Sequence, residues 1–295
     1  MKTIVCLRRF FLLPSLLIGM FLFPLFADAQ IDEMQSFPDP DSLLRRVGQE
    51  NVDTTFSFEW DNDSNRWEVY GRDLLFYNQK HRLFTRIEQR WSQEQKIWRN
   101  AEREIREYGE GKPGKLHQRL HQFWNEAAQS WINLELKTYL YNTQGQKSEI
   151  LYQQWRKALG EWISTVRYFL EYNREGDNIS ILVRTYSSEQ DKWLNYQRYL
   201  FEYESNYSPP TEAVVESWNR ERQSWRRSGK YLMTYNFRGK KTMEMRSTWN
   251  NSQNEWIKGV RFLYTYDKKL KTEELEQRWD FQNSQWQNAV RHTYT

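Results

Sequence analysis

Trp155-Arg-Lys-Ala-Leu-Gly-Glu-Trp162 decides the fold, because the chain writes this pattern again and again. A Trp pair with six residues between recurs at Trp60/Trp67, Trp91/Trp98, Trp124/Trp131, Trp155/Trp162, Trp218/Trp225, Trp249/Trp256 and Trp279/Trp286. An eighth copy has Tyr186 in the first place and Trp193 in the second. Successive copies start 30 to 33 residues apart, and all 15 tryptophans fall on these two positions. A period of about 31 residues over eight copies is the signature of a tandem-repeat architecture.

Around each pair the pattern is that of strands. Ser148-Glu-Ile-Leu-Tyr-Gln-Gln-Trp155 and Ile179-Ser-Ile-Leu-Val-Arg-Thr-Tyr186 run in. Trp162-Ile-Ser-Thr-Val-Arg-Tyr-Phe-Leu-Glu-Tyr-Asn173 runs out. These segments are rich in β-branched and aromatic residues and alternate with period two. Between outgoing and incoming strands stand Asn142-Thr-Gln-Gly145, Asn173-Arg-Glu-Gly176 and Asn236-Phe-Arg-Gly239. Asn opens such a turn with its side chain, and Gly supplies the left-handed residue that closes it. Asp267-Lys-Lys-Leu270 lacks the glycine, and Ser208-Pro209-Pro210 predicts a longer, irregular loop.

The expected fold is therefore all-β: tandem two-stranded repeats forming one long twisted antiparallel meander sheet, coiled or partly rolled. Sixteen strands at about 4.8 Å would span roughly 75 Å, and twist would wind so long a sheet. Stepping by two from each Trp predicts an aromatic face. It carries Trp155, Trp162, Tyr168, Tyr172, Trp225, Tyr235, Trp256, Tyr264 and Tyr266, the candidate ligand-binding residues. The opposite face then takes a basic row: Arg72, Arg103, Arg167, Arg198, Lys230, Arg261 and Arg291, with Leu136 the exception. A bulge in a strand would exchange the faces locally.

The chain opens with Lys2, Arg8 and Arg9, an apolar run from Phe10 to Phe26, and Ala27-Asp28-Ala29, which reads as a secretory signal peptide over residues 1–29. Residues 30–52 form an N-terminal linker in which Asp41 to Val47 can make one short helix, and residues 53–295 form the eight-copy domain. Cys6 is the only cysteine, so the exported part has no disulfide to rely on. The leader's Lys2, Arg8, Arg9 and Asp28 supply +2 of the net charge of +4. What remains is close to balanced, with both signs interspersed, which is no nucleic-acid footprint.

The segment Arg261-Phe-Leu-Tyr-Thr-Tyr-Asp267, with Glu273-Glu-Leu-Glu-Gln-Arg-Trp-Asp280 and Trp286-Gln-Asn288, resembles the W…W-x-N…R-x-x-Y-x-Y-[DN] units of secreted tandem-repeat proteins from the Bacteroidota. Those are similar in turn to the YD repeats of Rhs-type shells. The resemblance covers about four fifths of the chain. It implies a periplasmic, outer-membrane-surface or extracellular location, and it brings no catalytic residues.

Residue patterns that carry chemistry are few. His117 and His121 are four apart, a zinc spacing on a helix but roughly 13 Å on a strand. Asp61-Asn-Asp-Ser-Asn65 has the opening of a calcium loop, yet Arg66 stands where the glycine belongs. No phosphate-binding loop, Gly-x-Ser-x-Gly motif or exported cysteine nucleophile is present, so neither cofactor, metal site nor enzymatic activity is expected. Strands charged on both faces disfavour a membrane barrel, which needs an apolar band, and no integral span is expected once the leader is cleaved. The expectation is a non-enzymatic binding or adhesion module for an extracellular glycan or protein. The alternative is a structural spacer or subunit of a cell-surface assembly, with edge-to-edge self-association through free strands.

Overall fold

The computed structural model describes residues 4–7, 54–78, 80–109, 114–204 and 209–294. Among them all regular structure is strand. In order these are β1 (Ile4–Leu7), β2 (Thr54–Asp61), β3 (Arg66–Tyr77), β4 (Leu83–Ser92), β5 (Ile97–Tyr108), β6 (Leu116–Asn125), β7 (Ser130–Tyr141), β8 (Lys147–Arg156) and β9 (Glu161–Tyr172). There follow β10 (Asn178–Ser187), β11 (Lys192–Glu202), β12 (Glu212–Asn219), β13 (Ser224–Tyr235), β14 (Lys241–Asn250), β15 (Glu255–Asp267), β16 (Leu270–Asp280) and β17 (Gln285–Thr293). The linker helix over Asp41 to Val47 and the leader other than β1 lie outside the described residues.

The chain divides into two units. The first is Met1–Leu140 with Leu151–Thr165, and the second is Tyr141–Ile150 with Val166–Thr295. In the first, β2 to β7 pair antiparallel, each with the next, and β1 lies parallel to β2. In the second, β9 to β17 pair antiparallel in the same order. Both are the expected meander of two-stranded repeats.

Two kinds of turn build the repeat. Each Trp hairpin closes through four residues, the last in the left-handed region. These are Asn65, Lys96, Gln129, Gly160, Asp191, Gln223, Asn254 and Ser284. A polar residue at the loop entrance satisfies the free amides. Asp61 accepts from Asp63 N and Ser64 N, Asn219 from Arg222 N, and Asp280 from Gln282 N and Asn283 N. This is the Asx-turn chemistry that favours Asp and Asn at such places. The other turn is the Asn-x-x-Gly predicted. Asn173 Oδ1 accepts from Asp177 N, and Gly176, at φ 98°, donates to Asn173 O. At Asn78 the left-handed place is filled by His81 instead (φ 55°), and near Asp267 by Lys268 (φ 51°). Between β11 and β12 the connection lengthens to residues 203–211, where the Pro pair stands.

Every described Trp hairpin with a recorded register contains a β-bulge three residues after its second Trp. Gln89 pairs with Asn100 and Glu88 with Glu102, which leaves Ala101 unpaired. Tyr70, Leu134, Tyr196, Ser228, Gly259 and Ala289 are left out in the same way. An extra residue shifts the period-two alternation by one. The aromatic face predicted by unbroken steps of two is therefore corrected. The Trp pairs and the basic row share one face, here the Trp face, and the later tyrosines turn to the reverse face.

The reverse face of the second unit holds a core. Tyr168 and Ile181 are each only 1% exposed, and Leu170, Val183, Tyr199, Phe201, Ala213, Val215 and Met233 are buried with them. Register explains the cluster, since Val183 lies opposite Tyr168, Ile181 between Leu170 and Tyr199, and Val215 opposite Tyr199. Burying a side chain of this size stabilises the fold by about 1.5–3 kcal/mol.

Candidate functional site

The Trp face is built from the hairpin ends. Each pair occupies directly opposed positions, such as Trp218 and Trp225, and in all eight pairs the rings meet edge to face or tilted. Centroids are 5.3 Å apart in the first copy, 5.1 Å at Trp155/Trp162 and 4.8 Å at Trp249/Trp256, with planes inclined by 73°, 65° and 70°. Tyr186 and Trp193 keep the geometry at 5.4 Å and 66°. This arrangement places the positive edge of one ring on the negative face of the other and contributes about 0.5–1.5 kcal/mol beyond burial. None of the indoles is buried; they are half-buried, and Trp67 reaches 37% exposure.

Cations lie over these rings in a regular way. The residue five places after the second Trp reaches the second Trp of the next copy. Arg72 stands 4.5 Å from the Trp98 ring, Arg103 4.7 Å from Trp131, Arg198 4.8 Å from Trp225 and Arg261 4.6 Å from Trp286. Lys230 lies 6.0 Å from Trp256 and Arg167 5.7 Å from Trp193. Each such contact is worth about 0.5–1 kcal/mol at an exposed site. The same guanidiniums anchor hydrogen-bond chains: Arg72 Nε donates to Gln89, whose amide donates to Asn100. Arg103, Gln122 and Asn133, and again Arg261, Gln277 and Asn288, repeat it. The Asn of the W-x-N motif thus closes a polar chain beneath the indoles. Where that place holds a cation, it stacks instead: Arg227 is 4.9 Å from Trp249 and Lys258 4.1 Å from Trp279. Partial burial holds the guanidinium pKa of Arg72, Arg103 and Arg261 below its ordinary value.

The nine candidate binding residues divide between the two faces. Trp155, Trp162, Trp225 and Trp256 lie half-exposed on the Trp face. Tyr168 is buried on the reverse face, which closes it to a ligand. Tyr172, Tyr235 and Tyr266 use their hydroxyls structurally, donating to the carbonyls of Lys147 (2.8 Å), Pro210 (3.0 Å) and Lys241 (2.9 Å). Tyr108 and Tyr203 do the same to Leu83 and Asn178. In all five cases the acceptor lies 25 residues earlier, at the open end of the same hairpin. Tyr264 is half-buried, with the Lys271 ammonium 5.7 Å from its ring.

The charged candidates find local roles. His121 Nε2 lies 3.1 Å from Glu102, while His117 is the exposed bulge residue of β6. Asp61 caps its own loop. The Ser64 hydroxyl and the Asp63 and Ser64 amides hold its carboxyl below the usual range. Among the described residues no three His, Cys, Asp or Glu side chains are grouped to hold a metal ion, and no helix is long and apolar enough to cross a membrane. What sequence reasoning missed is the cation row on the Trp face. The bulge that puts it there carries no common residue type.

No protein-family model matches the chain, and no curated protein does. Among solved structures it is similar to a DUF3836 family protein from Bacteroides vulgatus, at 15% identity and TM-score 0.30, over 34% of this chain and 98% of that one. A porin-like protein from Bacteroides uniformis aligns over 75% of this chain and 87% of its own, at 14% identity and TM-score 0.37. The complex TcdB2-TccC3-Cdc42 aligns over 83% of this chain and 16% of that one, at 13% identity and TM-score 0.29. Similarity at this level leaves the functional reading to the geometry of the site itself.

Proposed function

We propose that the chain is an exported, non-enzymatic repeat protein of the cell envelope that binds an extracellular glycan or protein through its Trp face. One observation carries the reading: eight aromatic pairs, with cations laid over most of them, stay half-exposed, in each unit on one face of its strands. The buried apolar residues of the second unit lie on the other face. Rows of accessible rings on a repeat scaffold offer an extended surface of the kind that meets partners.

The test is binding of residues 30–295 to a glycan array, with Trp fluorescence read alongside. Saturable binding with quenching of indole emission is expected, and Trp→Ala changes made copy by copy would map the contact. Binding that leaves the emission untouched would move the site to the loops. Absence of any glycan or protein ligand would return the chain to the structural-spacer alternative.

A further inference from the structure

One place on the Trp face departs from the repeat. Between the hairpin tips of copies five and six lies an open cleft of about 490 Å³, within the size range of saccharide-sized sites. Arg184, Gln190, Lys192, Trp193, Asn195, Trp218, Arg220 and Gln223 supply its chemistry.

Some cations of the face are held by carboxylates, while Arg72, Arg103 and Arg261 bond to glutamine instead; this cleft gathers three without a carboxylate partner in one place. Arg167 is paired with Glu149 at 2.6 Å, Lys230 with Glu212 at 2.6 Å, and Arg198 with Glu216. Arg184, Lys192 and Arg220 make no ion pair among the described residues, and no carboxylate lines the cleft. Asp191, a carboxylate of the same loop, accepts from the Tyr186 hydroxyl. That tyrosine stands only in this copy, where every other has Trp. The rings differ as well. In the next two copies the first Trp lies under a cation, Arg227 on Trp249 and Lys258 on Trp279. Here the covering residue is Asn195, which accepts from Arg184 Nε at 3.0 Å, so Trp218 carries no cation.

We propose that this cleft binds an acidic saccharide. The Trp218 and Trp193 rings receive the apolar face of a sugar ring, and Gln190, Gln223 and Asn195 meet its hydroxyls. The three unpaired cations take its carboxylate or sulfate. Charge-assisted contacts of this kind are roughly twice as strong as neutral ones. The proposal rests on the reading of the Trp face as a binding surface and names its ligand class.

The experiment titrates residues 30–295 with three probes: a galacturonate oligomer, its methyl-esterified neutral form and a sulfated galactan oligomer. Trp fluorescence and calorimetry report binding. The expected result is at least tenfold tighter binding of a charged probe than of the methyl ester, weakening with added salt; the two charged arms tell carboxylate from sulfate. Lys192→Gln with Arg220→Gln should lose that tenfold preference, so that the acid binds no more tightly than the ester. Trp218→Ala should abolish binding of every probe. The two cation sites are exposed loop-end positions, so the double variant keeps the test valid even if Trp218→Ala fails to fold. Equal binding of ester and acid, or a double variant that binds the acid as the parent does, overturns the acidic-saccharide assignment and leaves the Trp face as a glycan surface. Failure of all three probes to bind overturns this assignment, and an empty glycan array beside it would remove the glycan part of the broader reading and leave a protein ligand.

Discussion

The sixth residue after the second Trp reads Asp73, Glu104 and Lys137 in the first three copies, and Tyr168, Tyr199, Tyr231 and Phe262 in copies four to seven. It faces the reverse side in both units, so one scaffold carries two kinds of interior. In the first unit this place on the reverse face is ionic, although Tyr139 is buried nearby. Arg86 makes two bonds to Asp73, at 2.9 and 3.1 Å. Glu104 meets Arg106 at 2.6 Å and Arg119 at 3.6 Å, and Lys137 lies 3.3 Å from Glu135 and 4.5 Å from the Tyr152 ring. In the second unit the same place is aromatic, buried at Tyr168 and Tyr199 and half-buried at Tyr231 and Phe262. Hairpin, bulge and turns are common to both, so they specify the strands without help from a particular interior. Apolar burial is insensitive to pH, whereas an ionic face depends on keeping its partners charged.

The sharpest way to break this contrast is truncation. Tyr168→Ala should cost about 3–5 kcal/mol, as for other large aromatic residues removed from a core, read as a lower urea midpoint. A loss under 1 kcal/mol would mean that the second unit does not depend on its apolar face. Glu104→Gln should cost less, about 1.5–3 kcal/mol, from lost charge-assisted bonds.

Acid should separate the units further. Burial alone would raise the Glu104 carboxyl, but Arg119, Arg106 and Arg86 together hold it below the ordinary 4.5. A depressed folded value gives stability that is present above pH 4.5 and is lost as the pH falls through that lower value. Amide exchange should therefore show β4 to β6 opening in acid ahead of β9 to β12. Glu244 will soften the contrast. It is a carboxylate in β14, also held low because Lys241 and Arg246 outweigh its burial. If Glu104→Gln leaves the acid profile of the first unit unchanged, the ionic face is not its acid-sensitive part.

A smaller effect belongs to the second unit. Burial, with Asp177, Tyr235 and Tyr172 nearby, pushes the Tyr203 hydroxyl up to about 12. The stability this gives is complete below pH 10 and lost as the pH rises through 12. Tyr203→Phe should cost about 1 kcal/mol at neutral pH and remove a phenol that ionises near 12 in an ultraviolet titration. The smallest effect is that of salt. Exposed pairs of the first unit such as Arg66–Glu68, with 70% of the arginine side chain open, contribute at most about 1 kcal/mol. Raising salt should shift the first unit's exchange slightly and leave the second unit's apolar core untouched.

Much of this was open to reading in the sequence. The Trp spacing announces the repeat, and Asn173 with Gly176 announces its turn, since each residue type has a conformational reason to be there. The faces were not legible, because the bulge residue is Tyr70 in one copy, Ala101 in the next, then Leu134, Ser228 or Gly259. Any side chain fits an unpaired strand position that points to solvent or along the strand. Of these only glycine hints at irregular backbone. Steps of two across that point therefore placed Tyr168 beside the indoles and Arg167 away from them. The cleft of copies five and six left one sign in the chain, Tyr186 in place of a Trp, but that substitution says nothing of which cations lack partners.

The tyrosine hydroxyls that reach back 25 residues have a mechanical consequence. A hairpin pulled at its free ends unzips from that side, and the Tyr203–Asn178 or Tyr266–Lys241 bond is among the first to carry the load. At the far end the aromatic pair resists until the last rungs part. Each of these hairpins is thus fastened at both ends, so a pull on its free strands meets a tyrosine bond first and the aromatic pair last.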